Sequence, residues 1–168
     1  MSIKVVFDLD GTIFNLYNKP NWLDDLENER WGVFKEWGYN HGFMPYICRA
    51  ELQEKILNLI DRGITFGIIS WLPWGASPEY AEICRREKLE WICKNLPMIT
   101  DIQLIPYGIE KQKAVTKKAG RMILIDDNAE ICKTWETAKQ RIAIQVNDDF
   151  TVMDALDKIL EEFDNLEE

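Results

Sequence analysis

Five short apolar runs alternating with helical stretches predict an α/β protein: a doubly wound, Rossmann-like, five-stranded parallel sheet with helices on both faces. The runs are rich in β-branched residues and carry few polar ones, as strands buried on both faces do. Apolar residues in the intervals recur at helical spacing, and glycine or proline marks several of the boundaries.

The first run, Ile3–Phe7, stops at Asp-Leu-Asp-Gly, which reads as a turn. Residues 64–70, 102–105, 122–125 and 141–146 supply the other four strands. Between them, residues 51–62 place Leu52, Ile56, Leu59 and Ile60 on one face, with Gly63 as the stop. Ser77 followed by Pro78 is an N-cap and first helical residue, opening a helix to about Asn95. Residues 109–119 read as a shorter helix closed by Gly120. Ile131, Cys132, Trp135 and Ala138 form a stripe after Asn128, and Val152, Leu156, Ile159, Leu160 and Phe163 mark the last helix.

One stretch breaks the alternation. About 35 residues, 15–49, separate the first strand from the helix at 51, too long for a plain loop in a compact domain. Leu26, Arg30 or Trp31, Phe34 and Trp37 suggest one short helix in it, so a small cap or flap within a single domain spanning 1–168 is expected.

At 168 residues the chain can bury a core without disulfides or metal. Cys48, Cys84, Cys93 and Cys132 lie far apart with a single histidine, His41, so reduced thiols in a cytoplasmic core are expected rather than a zinc site. No run is long enough for a membrane span, and the N-terminus lacks the pattern of a signal peptide. The formal charge of −9 disfavours extended contact with nucleic-acid backbone but permits a small phosphate ester, since a bound cation reverses the sign locally. The acidic EEFDNLEE end reads as a solvated helix terminus.

Ligands of open α/β sheets bind beyond the carboxyl ends of the strands. There the sequence puts Asp8, Asp10, Gly11 and Thr12 after the first strand and Ser70 then Trp71 after the second. Lys111 follows the third, and Asp126 with Asp127 follows the fourth. Four carboxylates on one rim repel one another unless a cation intervenes. A hard dication with oxygen ligands would do so, and Mg²⁺ suits a site that also takes a phosphate. Lys111, or Lys113 in its place, adds a further positive charge. Backbone N–H groups of Leu9, Asp10 and Trp71 could cradle phosphate oxygens. Thr12 joins Leu9 and Trp71 as a candidate substrate-binding residue.

The pieces VVFDLDGT, GIIS, YGIEK and MILIDD, in that order and spread over nearly the whole chain, resemble the motifs of the haloacid dehalogenase (HAD) superfamily. The resemblance implies Asp8 as nucleophile toward phosphorus and Asp10 as general acid/base. It implies Ser70 as the hydroxyl that holds the transferring phosphoryl group, and Lys111 as the lysine that offsets negative charge. Asp126 and Asp127 would hold Mg²⁺ together with Asp8 and the backbone carbonyl of Asp10. The second aspartate favours phosphate-ester hydrolysis over dehalogenation, because an alkoxide leaving group needs a proton and a halide does not.

The expected substrate is a small phosphorylated molecule, a nucleoside monophosphate or another metabolite, on loose similarity to small nucleotidase-like members. A phosphate on a macromolecule, or phosphate binding with little turnover, is the alternative. A phospho-acceptor receiver module would carry its acidic pair after the first strand, and here the order is reversed. Trp22, Trp31 and Trp37 are expected to pack the insert onto the core, whereas Trp71 and Trp74 are placed to meet a ligand. His41 is expected to be solvated.

Overall fold

The computed structural model describes residues 2–116 and 118–167. In chain order its elements are β1 (Ile3–Phe7), α1 (Trp22–Glu27), α2 (Lys35–His41), α3 (Arg49–Asp61), β2 (Thr65–Trp71), α4 (Pro78–Asn95), β3 (Asp101–Ile105), α5 (Lys111–Ala114), β4 (Arg121–Asp126), α6 (Ala129–Trp135), β5 (Arg141–Gln145) and α7 (Val152–Glu167). The strands form the single five-stranded parallel sheet expected, and their order is β3-β2-β1-β4-β5. β1 lies at its centre, with Val5 opposite Phe66 on one side and Ile123 on the other.

Side chains alternate across the pleat and so build two cores. Val5, Phe7, Phe66, Ile68, Ile123 and Ile125 face α3, α4 and α7. Val6, Ile69, Met122 and Leu124 face the other way, where Val115 and Trp135 of the α5–α6 side cover them. From β1 the chain winds outward through β2 to β3, then returns to β4 and continues to β5. The direction of winding therefore reverses between β1 and β4, and the crevice beyond their carboxyl ends is the natural ligand position.

The 15–49 stretch forms two short helices rather than the single one expected over Leu26 to Trp37. The backbone reverses at Glu29 (φ 53°) and Gly32 (φ 81°), and α4 supplies the partners that a continuous helix would have provided internally. Glu87 Oε2 accepts from the N–H groups of Phe34 and Lys35, both at 3.2 Å. The Tyr80 hydroxyl donates to the Arg30 carbonyl at 2.8 Å, and Glu29 accepts from Ser77. The Trp91 indole donates to the Gly38 carbonyl and meets Phe14 edge-on and Phe43 at a tilt. An added Cβ at Gly38 would lie 2.9 Å from Trp91 and 3.0 Å from Phe14, so glycine lets α2 approach this closely.

Two boundaries also differ. β2 runs one residue further than expected, because Trp71 still pairs with Ile105 of β3. The helix expected over 109–119 is confined to Lys111–Ala114. Gln103 of β3 ends it by taking over backbone groups: its Nε2 donates to the Ala114 carbonyl and its Oε1 accepts from the Thr116 N–H. The Ser77 cap holds, with Oγ accepting from the Tyr80 N–H at 3.2 Å. Cys84 and Cys132 are buried, but Cys48 and Cys93 are exposed, so the thiols are free without all belonging to the core. No described helix is long and apolar enough to cross a membrane. The acidic end is helical to Glu167, and the expectation of a solvated end falls in part outside the described residues.

Candidate active site

The chain leaves β1 through a tight loop that decides where its two aspartates point. The N–H groups of Thr12, Ile13 and Phe14 all converge on the Leu9 carbonyl, while Gly11 N–H donates to Phe14. Gly11 sits at φ 82°, and a Cβ there would lie 2.5 Å from both Asp127 Oδ2 and the Tyr17 ring. Only glycine meets both conditions. Asp8 N–H still donates to Ile125 at 2.9 Å, so Asp8 stands against the end of β4, where Asp126 and Asp127 emerge.

Lys111, fully buried at the start of α5, reaches between two of these carboxylates. Its Nζ is 2.6 Å from Asp8 Oδ1 and 2.7 Å from Asp126 Oδ2. Burial opposes the ammonium, but Asp8 and Asp126 outweigh it and hold Lys111 above the ordinary lysine range. Asp126 Oδ1 accepts from the Asn128 N–H at 2.9 Å, and the Asn128 side chain in turn caps α6 through Glu130 and Ile131. Lys113 is at the surface, paired with Glu110.

One lysine does not balance this group of acids. Burial first, then the charge of Asp8, pushes Asp126 and Asp127 up to about 7. Asp8, Asp126 and Asp127 each offer an oxygen, all within 4.8 Å of one another. Hard oxygen donors carrying surplus negative charge fit a dication such as Mg²⁺. The Asp10 carboxyl is not one of this trio.

Asp10 instead belongs to a second polar centre that the sequence reading missed. Lys88, on α4 and 1% exposed, donates from Nζ to Asp10 Oδ2 at 2.6 Å, to the Trp71 carbonyl at 2.8 Å and to Ser70 Oγ at 3.2 Å. Its Nζ also lies 4.7 Å from the centroid of the Phe34 ring. Asp10 Oδ1 is buried and has no hydrogen-bond partner among the described residues. Burial raises the Asp10 pKa, with Lys88 opposing and Asp8 adding to the rise. A signal for Lys88 exists in the sequence: it falls on the buried stripe Tyr80, Cys84, Lys88, Trp91 and Asn95 of α4.

Both centres open into one cavity of about 370 Å³ that contains Asp8, Asp10, Ser70, Lys88, Lys111, Asp126 and Asp127 in its lining. Aromatic rings form much of the remaining wall. Trp71 leans on Tyr107 with centroids 4.7 Å apart, and Tyr17 meets Trp22 edge-on at 4.9 Å. Trp74 also lines it and is 72% exposed.

The side chains of Leu9 and Thr12 are wholly buried and neither residue lines the cavity, so any contact of Leu9 with a phosphate would be through its backbone N–H, as the sequence suggested. The Thr12 hydroxyl lies 3.2 Å from Asp8 Oδ2 and 3.4 Å from Asp127 Oδ1, so it braces carboxylates instead. Within the insert, Trp22 lines the cavity, Trp31 is exposed, and Trp37 donates to the Asn15 carbonyl at 2.7 Å. Packing therefore describes Trp37 and also Trp22, which lies against the core while lining the cavity, but not Trp31. His41 is exposed, its ring against Trp37.

The chain is similar to the HAD domain of the effector protein Lem4 from Legionella pneumophila, at 17% identity and a TM-score of 0.48, over 96% of this chain and 94% of that one. An inactive mutant of the same domain aligns at 14% identity and a TM-score of 0.48, over 96% and 92%. No family model matches the chain, and no curated protein does.

Proposed function

We propose that the chain is a Mg²⁺-dependent phosphatase of the HAD type, hydrolysing a phosphate monoester through an aspartyl-phosphate on Asp8. The observation that carries this reading is the division of labour on one rim. Asp8 is hydrogen-bonded to the Lys111 ammonium, whereas the half-buried Asp10, two residues on, keeps its buried Oδ1 free. A nucleophile and an acid/base need such unlike surroundings.

In this reading Asp8 attacks phosphorus, the bond to the leaving oxygen breaks, and Asp10 gives that oxygen its proton. Asp10 then takes a proton from water as the water attacks the aspartyl-phosphate, which frees phosphate and restores both carboxyls. Ser70 and Lys111 hold the transferring group, and Lys111 offsets charge on Asp8 throughout. Asp8, Asp126 and Asp127 would hold Mg²⁺, with the Asp10 carbonyl as a further donor. The ion would stabilise the negative charge that builds on the phosphoryl oxygens.

The cavity supports an aromatic alcohol component and so a nucleoside monophosphate. Trp22, Trp71, Trp74, Tyr17 and Tyr107 contribute aromatic rings to the lining, and Lys88 and Lys111, both bound to site carboxylates, are its cations. A second phosphate would find no further positive charge among those lining residues. The exposed rim residues Leu23, Trp74 and Tyr107 favour the other reading, a phosphate on a larger molecule that would cover them.

The test is phosphate release from a panel of monoesters and a phosphopeptide, with Mg²⁺, with EDTA, and beside Asp8→Asn. Release that disappears in both controls is expected. Full turnover by Asp8→Asn would end the nucleophile assignment, and metal-independent turnover the cofactor assignment.

A further inference from the structure

Lys88 is a buried charged group at the site that the reaction just described leaves unused. A lysine on the apolar stripe of a helix loses its hydration, and such positions ordinarily hold aliphatic side chains. Lys88 tolerates burial because each of its three N–H bonds has an acceptor: a carboxylate, a hydroxyl and a carbonyl. All three acceptor residues, Asp10, Ser70 and Trp71, line the cavity.

We infer that Lys88 is a positioning residue that aims Asp10 and Ser70 at the phosphoryl group. The inference rests on the phosphatase reading above. The ammonium has no lone pair, so a Ser70 oxygen that accepts from it must turn its own O–H elsewhere. The open side is the cavity, where that hydrogen would meet a phosphoryl oxygen. Asp10 is sorted in the same way. Oδ2 is fastened to Lys88, and Oδ1 is left without a partner as the oxygen able to pass a proton to the leaving group. Phe34 covers the ammonium from the insert, which keeps water from competing for its N–H bonds. Held this way, Asp10 needs no reorientation between giving its proton and taking the next one from water.

The test compares wild type, Lys88→Met and Lys88→Arg on two monoesters. An aryl ester with an acidic phenol departs without help, whereas an alkyl ester needs its oxygen protonated. Because kcat/KM reports the steps up to alcohol release, Lys88→Met should lower it for the alkyl ester by about 100-fold or more. For the aryl ester the loss should stay within about tenfold, the order left to Ser70 and charge. In an Asp10→Asn background, Lys88→Met should add little, since the two act as a unit. Lys88→Arg keeps the charge and guards against a folding failure; its longer, planar head should give a smaller loss with the same preference for the aryl ester.

Equal losses on both esters in both variants, or full additivity with Asp10→Asn, would overturn the positioning role while leaving the phosphatase reading intact. A wild-type enzyme silent on both esters would overturn both.

Discussion

Replacing Lys111 by methionine removes the charge between Asp8 and Asp126 while nearly conserving volume, so the loss should be electrostatic rather than one of packing. The ammonium and Asp126 are almost wholly shielded, and Asp8 nearly so, with bonds of 2.6 and 2.7 Å. Breaking a buried pair costs about 3–5 kcal/mol, because the surviving charges stay desolvated without a partner. For a chain of this size each kcal/mol moves the melting temperature by about 2–4 °C, which predicts a drop of about 6–20 °C at pH 8 without Mg²⁺.

Two manipulations should shrink that drop. Lys111 is one of the groups that lowers the Asp126 pKa, so its removal lets Asp126 hold a proton to higher pH. Acidification to pH 5 neutralises the carboxyl and removes the penalty. Mg²⁺ supplies the missing charge directly, and the thermal shift it produces should be larger in the variant than in wild type. Differential scanning fluorimetry at pH 5 and 8, with Mg²⁺ or EDTA, reads all four conditions. A deficit that stays the same across them would refute the charge-balance account of the site.

Two further outcomes follow from the same loops. Gly11→Ala forces a left-handed backbone and sets a methyl against Asp127 and Tyr17; unfolding should show a loss of about 1–2 kcal/mol, and calorimetry a larger loss of Mg²⁺ affinity. Asp126 and Asp127 titrate above their ordinary 3.8, at about 7, so between those values the folded chain binds more protons than the unfolded and the pair's stabilising contribution falls as pH rises. Asp127→Asn should therefore raise the metal-free melting temperature at pH 8, not at pH 4, and reduce the stabilisation by Mg²⁺; a variant less stable at pH 8 would contradict this.

Much of the fold was legible because parallel strands buried on both faces read as uninterrupted apolar runs, and every such run became a strand. The acidic residues that end β1 and β4 were legible for a related reason: a carboxylate following a buried strand has few ordinary uses. Lys88 was not. It lies 78 residues from Asp10, and nothing local to α4 says that its stripe passes the end of β1. α5 was overestimated because Gln103, on another strand, intercepts its backbone. The two-helix insert was misread for the same physical reason, since Glu87 and Tyr80 of α4 satisfy the Phe34, Lys35 and Arg30 backbone across a large sequence gap.

The seam between the insert and α4 bears on how substrate arrives. Phe14, Phe34 and Trp91 are at most 7% exposed, and swinging the insert away would wet all three rings. At roughly 1.5–3 kcal/mol per large apolar side chain, that opening costs about 5–9 kcal/mol and would be populated at roughly one part in 10⁴ to 10⁷. An entrance so seldom available would throttle turnover, whereas the side of the cavity lined by the exposed Trp74 needs no such opening. On the phosphatase reading the insert is thus a fixed wall: its sequence sets the width and lining of the doorway, and changes in it should alter which esters fit before they alter how fast the site cycles.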